Sequence, residues 1–319
     1  MPAREELRQF VLAARLYYDE DKNQAEIARH LGVSRPKVSR MLQQAREEGI
    51  VQITILDPFA TDAELATTLC EATGLRRVVV VPGDVTNIEL MRARLGLAAA
   101  RFLEETLRPS NILGVGWGRS LHAVASTLAA RPRRGLVAVP LLGGLGQIEP
   151  SFQVQELTRR MAESFGGSWR QLYVPAIVED DAARAKLLAS ADTHEVMLDW
   201  GRLTTAVVGI GDVDFDSEIG TLFANYLDAE TQQRLRSAGA VGDICMRFFD
   251  RHGQPIADGL RGVIGIDLEQ LRATPNVIAV AGGANKAEAI LGALRGEFID
   301  ALVTDEAAAR AVLKRVREG

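Results

Sequence analysis

Residues 23–48 contain two helical hydrophobic patterns that meet at one glycine, and this tract constrains the fold more than any other. Four apolar residues of the first pattern recur at helical spacing: Ala25, Ile27, Ala28 and Leu31. Asn23 precedes them and has a side chain suited to cap the first turn of a helix. Gly32 can adopt the left-handed conformation that ends a helix. The tract therefore predicts two helices joined by a short turn at a steep angle.

The second of these helices is predicted to bury one face and to expose a basic one. Its inward positions recur at three- and four-residue steps: Val38, Met41, Leu42 and Ala45. Ser34 is placed to cap it. An outward arginine can bond guanine, a glutamine can bond adenine, and a helix N-terminus can approach a phosphate. We therefore predict a DNA-binding helix-turn-helix whose contacts come from Ser34, Arg35, Pro36, Lys37, Arg40 and Gln44.

The distribution of charge supports DNA binding at this tract alone. Residues 29–46 include several arginines and a lysine but no carboxylate, whereas the whole chain has a formal net charge of −5. Neutralisation of DNA phosphates must therefore come from a local patch. The alternative is an ordinary helical hairpin with a solvated basic face. The N-terminal position of the tract and its capped second helix favour DNA binding.

The bulk composition is that of a globular protein with room for two domains. The chain has 319 residues, of which 47% are hydrophobic and 25% charged. Cys70 and Cys245 lie in apolar neighbourhoods without metal-ligand spacing, so we expect buried free thiols and no metal site. The N-terminal sequence lacks a signal core, and no apolar run approaches the roughly 18 residues of a membrane span. We expect a cytoplasmic protein without a membrane partner.

A domain boundary is predicted near residue 57. Residues 4–18 predict a first helix that supports the helix-turn-helix. Its apolar face would contain Leu7, Phe10, Val11, Ala14 and Tyr17. The β-branched run 50–56 predicts a strand, which Asp57 and Pro58 would end. We assign residues 1–56 to the helix-turn-helix domain and residues 57–319 to an effector-binding and oligomerisation domain.

The larger domain alternates apolar β-rich runs with helical patterns, which predicts an α/β fold. The runs are residues 77–81, 112–115, 136–141, 206–210, 277–281 and 301–304. Strands that alternate with helices form a mainly parallel sheet covered on both faces. Residues 244–249 and 262–266 flank a polar turn at 250–253 and predict an inserted hairpin. In such folds ligands bind where loops leave the carboxyl ends of the strands.

The loop after the second run has the composition of a phosphate cradle. Gly116 and Gly118 allow backbone N–H groups to face an anion, and a helix begins directly afterwards. Arg119 and Ser120 add side-chain donors at the N-terminus of that helix. A tight structural turn explains the glycines equally well, and the loop matches neither the P-loop nor the dinucleotide-binding pattern. ATP and NAD are therefore not indicated.

Three further loops complete the predicted effector site. The loop after the third run offers Gly144 and Gln147, and Lys286 begins a helix after the fifth run, where it could face a phosphate. A solvated lysine is the alternative there. Asp243 is placed just before a strand, where its carboxylate could accept hydrogen bonds from hydroxyls. Together these residues predict a small, polyhydroxylated and phosphorylated ligand.

The whole chain resembles the SorC family of bacterial transcriptional regulators. The resemblance rests on five motifs, at residues 34–40, 114–120, 239–244, 281–290 and 302–306. It implies an effector domain related to sugar-phosphate isomerases such as ribose-5-phosphate isomerase, and dimers or tetramers bound to operator DNA. The effector contacts it implies are Gly118, Arg119 and Ser120 for phosphate, Asp243 for hydroxyls and Lys286 for charge. Some members have a basic residue where this chain has Leu142, so an unphosphorylated polyol stays open.

These observations predict a DNA-binding regulator of a carbohydrate or polyol catabolic operon, most simply a repressor that its effector releases. No cofactor is expected. The competing class is an isomerase-like enzyme, with Asp243 or Glu306 as base and Lys286 as electrostatic stabiliser. Such chemistry needs a positioned acid and base. A DNA-binding domain on the same chain explains the ligand pocket without catalysis, because effector binding can regulate DNA binding.

Overall fold

The computed structural model describes residues 4–51, 61–83, 87–146, 148–214, 227–257 and 259–318. The chain divides into two compact units, Met1–Asp57 and Pro58–Gly319. Within the described ranges, no helix is both long and apolar enough to cross a membrane.

The first unit is a three-helix domain around a small apolar core. Its helices are α1 (Arg4–Tyr18), α2 (Gln24–Leu31) and α3 (Arg35–Glu47). Asn23 accepts hydrogen bonds from the amides of Ala25 and Glu26, and Glu26 bonds back to the Asn23 amide, which forms the capping box that starts α2. Gly32 ends α2 with φ at 64°. The predicted turn is confirmed.

The core of this unit explains which predicted positions face inward. The buried residues of α2 and α3 are Ile27, Ala28, Val38, Met41, Leu42 and Ala45, all of them predicted. Leu31 is only half-buried, and the prediction for Ala25 is wrong because its side chain is exposed. Helix α1 buries Phe10 and Ala14 but leaves Val11 37% exposed, so the prediction for Val11 is wrong. Ser34 occupies the N-cap position of α3, yet its side chain makes no capping hydrogen bond within this unit. Its predicted capping role is wrong as well.

The predicted strand at residues 50–56 lies mostly outside the described residues. Ile50 and Val51 are described and are not part of a strand. The amide of Val51 instead donates to the carbonyl of Ala45, 2.9 Å away, which closes the end of α3.

The second unit is an α/β domain, as predicted. Its described strands are β1 (Arg77–Val81), β2 (Ile112–Val115), β3 (Val137–Pro140), β4 (Ser168–Trp169), β5 (Thr205–Gly209), β6 (Gly211–Asp212), β7 (Ala240–Ile244), β8 (Arg247–Asp250), β9 (Val277–Val280) and β10 (Ala301–Asp305). Its described helices are α4 (Ala63–Thr73), α5 (Ile88–Thr106), α6 (Arg119–Thr127), α7 (Val154–Ser164), α8 (Asp181–Leu188), α9 (Ala191–Trp200), α10 (Ala229–Ser237), α11 (Leu268–Arg272), α12 (Ala287–Arg295) and α13 (Glu306–Glu318). Short 3-10 turns span Pro150–Phe152 and Ala284–Lys286.

A seven-stranded parallel sheet forms the centre of this unit as described, in the order β1-β10-β9-β5-β2-β3-β4. The strands alternate between two cores because successive side chains point to opposite faces. Leu302 packs in the core that contains Leu69 and Phe298, and Val303 packs in the core that contains Leu95 and Leu121. Helices therefore cover both faces, as the continuous hydrophobic runs predict.

The order of the strands creates a switch point between β2 and β5. From β2 the chain moves outward through β3 and β4, and from β5 it moves the other way through β9 and β10. Loops that leave adjacent strands in opposite directions open a crevice at the carboxyl edge of the sheet, which is where ligands bind in such folds. The loops after β2 and β5 are thus placed at a binding position.

A smaller antiparallel sheet, β6-β7-β8, continues from the end of β5. Its hairpin differs from the prediction, because Cys245 and Met246 form the turn between β7 and β8 with φ of 51° and 64°. Residues 244–249 are therefore not one strand. The polar turn at 250–253 exists, but it leads to a bridge between Phe249 and Pro255. Residues 262–266 instead bridge to Leu142 and Ile177.

The two cysteines carry no disulfide. Cys245 is buried, as expected, whereas Cys70 is half-buried. Burial raises the pKa of the Cys245 thiol far above its ordinary value, and the neighbouring Asp243 carboxylate raises it further. The thiol is therefore protonated and inert at neutral pH.

Candidate DNA-binding surface and effector site

All six predicted DNA contacts lie on the exposed side of α3 and its N-terminus. They are Ser34, Arg35, Pro36, Lys37, Arg40 and Gln44. The opposite side of α3 is fixed in the core by Val38 and Met41, so the orientation of the exposed side is set by packing. The first turn of α3 contains no acidic residue. An exposed helix with this chemistry fits the major groove of DNA.

The predicted phosphate turn lies at the carboxyl end of β2, at the switch point. Gly118 precedes α6 with φ at 102°, a conformation that side chains rarely adopt, and Arg119 and Ser120 begin the helix. The amide of Gly116 donates to the carbonyl of Val207 at 2.9 Å, so it is not available to an anion. Gly116 is needed for close approach, since a side chain there would press on Leu121 and Val207 at 3.2 Å.

The first turn of α6 therefore has the character expected of an anion site. The amide of Gly118 makes only a long contact of 3.4 Å with the carbonyl of Phe152. The N-terminal amides of α6 and the helix dipole favour negative charge. Arg119 is partly buried, and its pKa is lowered first by this burial and then by the charge of Arg92, while Glu89 acts in the opposite direction.

In the second glycine loop, the backbone of Gly144 is engaged within the protein. The amide of Gly144 donates to Val174 and its carbonyl accepts from Ala176, both at 2.8 Å. The side chain of Gln153 bonds both the amide and the carbonyl of Leu145. The backbone of this loop is thus engaged within the protein, and Gly144 has no amide left for a ligand. Gln147 lies outside the described residues.

Asp243 is a buried carboxylate that is only half satisfied. It lies within β7 rather than before a strand, with 4% exposure. Its Oδ2 accepts a hydrogen bond from the amide of Met246 at 3.0 Å, and this bond supports the turn after β7. Its Oδ1 is buried and has no hydrogen-bond partner among the described residues. A buried oxygen without a donor is costly, so its presence points to a ligand.

The environment of Asp243 raises its pKa to about 6. Burial is the main cause, because it disfavours the charged form. The Met246 amide and the charge of Lys286 lower the pKa, whereas the neighbouring Asp212 raises it. Asp243 is therefore mostly a carboxylate at neutral pH and can accept hydrogen bonds from hydroxyl groups.

Lys286 is held beside Asp243 by residues that the sequence did not single out. Its Nζ lies 3.3 Å from Oδ2 of Asp212, and the same oxygen accepts a hydrogen bond from Asn285 at 2.6 Å. Lys286 and Asp212 are 23% and 13% exposed, so Lys286 is not the solvated lysine of the alternative interpretation. The position of Asp212 after the carboxyl end of β5 was the available signal.

The loop before Lys286 is fixed by Asp305, at the carboxyl end of β10. Its Oδ2 accepts a hydrogen bond from the amide of Gly283 at 2.5 Å, and its Oδ1 accepts from Ala307 and Ala308 at the start of α13. Asp305 is fully buried. It therefore positions Asn285 and Lys286 through the backbone of their loop.

The predicted residues thus form two groups at the carboxyl edge of the sheet. One is the Gly118–Arg119–Ser120 turn after β2, and the other contains Asp243 and Lys286 beside the end of β5. The first group suits an anion, and the second combines acceptors with a cation, as needed for hydroxyl groups. Because β2 and β5 are hydrogen-bonded neighbours, both groups flank the switch point.

Comparisons with known proteins define the class of the molecule. A family model for a sugar-binding domain matches residues 57–314, and a model for a Crp-like helix-turn-helix domain matches residues 14–60. Together with the exposed face of α3, these matches define a DNA-binding transcriptional regulator with a sugar-binding domain.

Individual relatives define the family. The deoxyribonucleoside regulator of Bacillus subtilis (strain 168) is 34% identical over 97% of this chain and 98% of that protein. The sorbitol operon regulator of Klebsiella pneumoniae is 31% identical over 97% of this chain and 99% of that protein. The crystal structure of full-length SorC from the same organism matches with a TM-score of 0.74 over 97% of this chain and 99% of that one. The chain belongs to the SorC family.

The family assignment confirms the predicted regulator class over the enzyme alternative. The relatives named above are regulators. A solved sugar-binding domain of a transcriptional repressor from Vibrio fischeri, 30% identical with a TM-score of 0.72, covers 80% of this chain and 100% of that one. The chain is therefore a regulator rather than a sugar-phosphate isomerase.

Proposed function

We propose that the protein represses a carbohydrate or polyol catabolic operon and that a small phosphorylated sugar or polyol releases it from the operator. The observation that carries this proposal is the half-satisfied buried carboxylate of Asp243, placed beside Lys286 at the switch point of a sugar-binding fold. A hydroxyl group that donates to Oδ1 would satisfy that oxygen. The names of the sorbitol and deoxyribonucleoside regulators support a sugar or polyol as the ligand class.

The two groups of the site would bind opposite ends of this effector. Arg119, Ser120 and the first-turn amides of α6 would bind the phosphate, which a helix N-terminus and a guanidinium both favour. Asp243 would accept from a hydroxyl, and Lys286, oriented by Asp212, would donate to a second hydroxyl oxygen. The separation of charged and hydroxyl-binding groups gives the ligand one orientation.

Operator binding would use two or more copies of the chain. Ser34, Arg35, Pro36, Lys37, Arg40 and Gln44 would contact DNA from each copy. A homodimer or tetramer would present the α3 helices at the spacing of operator half-sites. Effector binding would change that spacing or the assembly and so weaken operator binding. The bacterial relatives are named as regulators, and a transcriptional regulator acts on DNA. We therefore place the protein in the cytoplasm.

The test separates the two binding activities by substitution. Fluorescence anisotropy measures binding to DNA from upstream of the protein's own gene, and calorimetry measures binding of sorbitol 6-phosphate and 2-deoxyribose 5-phosphate beside their unphosphorylated parents. Arg40→Ala should weaken DNA binding by about tenfold or more and leave effector binding unchanged, whereas Lys286→Ala should do the reverse. Gln43→Ala, on the same helix and bonded to Glu47, is the control for Arg40.

A separate result would contradict the role of α3, the role of Lys286 and the recognition of phosphate. Normal DNA binding by Arg40→Ala would remove α3 as the recognition helix. Normal effector binding by Lys286→Ala would remove Lys286 from the site. Equal affinity for phosphorylated and unphosphorylated compounds would show that phosphate is not recognised.

A further inference from the structure

Helices α5 and α6 touch backbone to backbone near the middle of the pair. A Cβ atom at Gly96 of α5 would lie 2.6 Å from the carbonyl carbon of Ala123 in α6 and 2.7 Å from its Cβ. No side chain fits between the helices at this point, so their relative position is fixed. Both helices follow parallel strands, β1 and β2, and both therefore run away from the carboxyl edge of the sheet.

Two arginines lie one helical turn before this contact. Arg92 precedes Gly96 by four residues, and Arg119 precedes Ala123 by four residues. Residues four apart share one face of a helix, so the two side chains lie on the faces where the helices meet. Both are at the N-terminal side of the contact, which is the side of the ligand-binding edge.

The side chain of Arg92 is largely withdrawn from solvent. It is 15% exposed and pairs with Glu89, whose own side chain is 77% exposed. A guanidinium that is largely withdrawn from solvent and paired with an exposed counter-ion can exchange that partner for another anion with little rearrangement. Glu89 is thus placed as a competitor for whatever anion approaches Arg92.

The electrostatics around Arg92 and Arg119 favour an added anion. The charge of Arg92 lowers the pKa of Arg119, which shows that the two guanidinium groups act on each other unfavourably. The positive end of the α6 dipole adds to the same field, and the first turn of α6 contains no acidic residue. A doubly charged oxyanion between the two arginines would attract both guanidinium groups and so offset their mutual repulsion.

We propose that Arg92 and Arg119 form a two-guanidinium site for a phosphate monoester, with Arg92 as a phosphate-binding residue beside the α6 turn. The inference rests on the proposed phosphorylated effector and adds a cation from α5 to its site. Each guanidinium can present two N–H groups to the oxygens of one phosphate. Release of Arg92 from Glu89 accompanies binding, so Glu89 sets the phosphate affinity.

The experiment uses inorganic phosphate as the probe on the full chain. Thermal unfolding is followed against phosphate, with chloride at matched ionic strength as the reference, because a ligand that binds the native state raises its melting temperature. Arg92→Gln and Arg119→Gln should each lower phosphate affinity about tenfold or more. Glu89→Gln should raise it severalfold, because it removes the competing carboxylate. Arg94→Gln, which loses a bond to the Pro82 carbonyl and removes a charge from α5 outside the proposed site, should match the wild type.

The outcomes distinguish this inference from the function on which it rests. Wild-type phosphate affinity in both Arg92→Gln and Glu89→Gln, with loss in Arg119→Gln, would overturn the role of Arg92 and leave the α6 turn in place. No response of the wild type to phosphate would overturn the site itself, while the DNA-binding test of Arg40 would still stand. If Arg92→Gln does not fold, Arg92→Lys and Glu89→Gln decide, since only a true phosphate site responds to both in opposite directions.

Discussion

Asp243 shows how a single residue can serve binding at the expense of stability. Its carboxylate is buried, one oxygen supports the turn at Met246, and the other has no hydrogen-bond partner in the described chain. Burial of a charge without full compensation costs folding free energy. Such costs are tolerated where a ligand later supplies the missing donor, which is the usual trade between stability and function.

The stability cost of Asp243 should depend on pH. Its pKa is raised to about 6 in the folded state, so the folded chain holds a proton that the unfolded chain has already lost between about pH 4 and 6. Stability from this group is therefore greatest at low pH and falls as the pH rises through 6. We expect Asp243→Asn to gain up to about 3 kcal/mol at pH 7.5 and progressively less towards pH 4. Urea unfolding across this range measures the gain.

The same substitution should weaken effector binding. The side-chain amide of the Asp243→Asn variant would keep an oxygen for the Met246 amide but would place an NH2 group, which cannot accept from a hydroxyl, at the position of Oδ1, so a loss of about tenfold is expected. Asp250→Asn, in the same small sheet, is the matched control. A variant that gains no stability at pH 7.5 would contradict the cost assigned to Asp243.

At the scale of elements, the sequence predicted what repeated patterns encode. The β-branched runs located six of the seven described parallel strands to within a residue, and the two-residue strand β4 was missed. The hydrophobic steps of α2 and α3 located the helix-turn-helix. The turn of the β7–β8 hairpin was missed because Cys245 and Met246 adopt positive φ without being glycine or asparagine. The role of Asp212 was missed because it depends on β6, β7 and the turn before α12 meeting in space.

The end of α12 offers a test of backbone strain. Glu297 follows the helix with φ at 56°, a conformation that costs a residue with a Cβ about 1 to 2 kcal/mol. Its side chain is exposed. Glu297→Gly should therefore raise the free energy of unfolding by about 0.5 to 1 kcal/mol once the greater chain entropy of glycine is subtracted. Glu297→Ala keeps the Cβ and should gain nothing, and an equal gain in both variants would show that strain is not the cause.

At the scale of the whole molecule, regulation is a coupling free energy between two sites. If the effector weakens operator binding by some factor, the operator must weaken effector binding by the same factor. We expect this factor to lie between about 5 and 150, the usual range for such coupling. Anisotropy titrations of DNA with and without effector, and calorimetry of effector with and without DNA, measure it from both sides.

The factor by which effector weakens operator binding must equal the factor by which operator weakens effector binding, if the protein binds both reversibly. Unequal factors would indicate that one measurement includes a change of assembly, which varies with protein concentration. The variants Arg40→Ala and Lys286→Ala provide the references in which one partner no longer binds.

The order of the parallel sheet has a consequence for synthesis of the chain. Strand β1 pairs with β10 from Arg77 and Ala301 to Val81 and Asp305, so its partner is made more than two hundred residues later. During translation the backbone N–H and C=O groups of β1 that pair with β10 stay unpaired until β10 has been synthesised. Pairing between strands so far apart in sequence slows folding and favours aggregation. A nascent chain released before residue 301 would lack both β10 and α13. Premature termination should therefore yield an insoluble fragment rather than a DNA-binding protein that has lost its sensor.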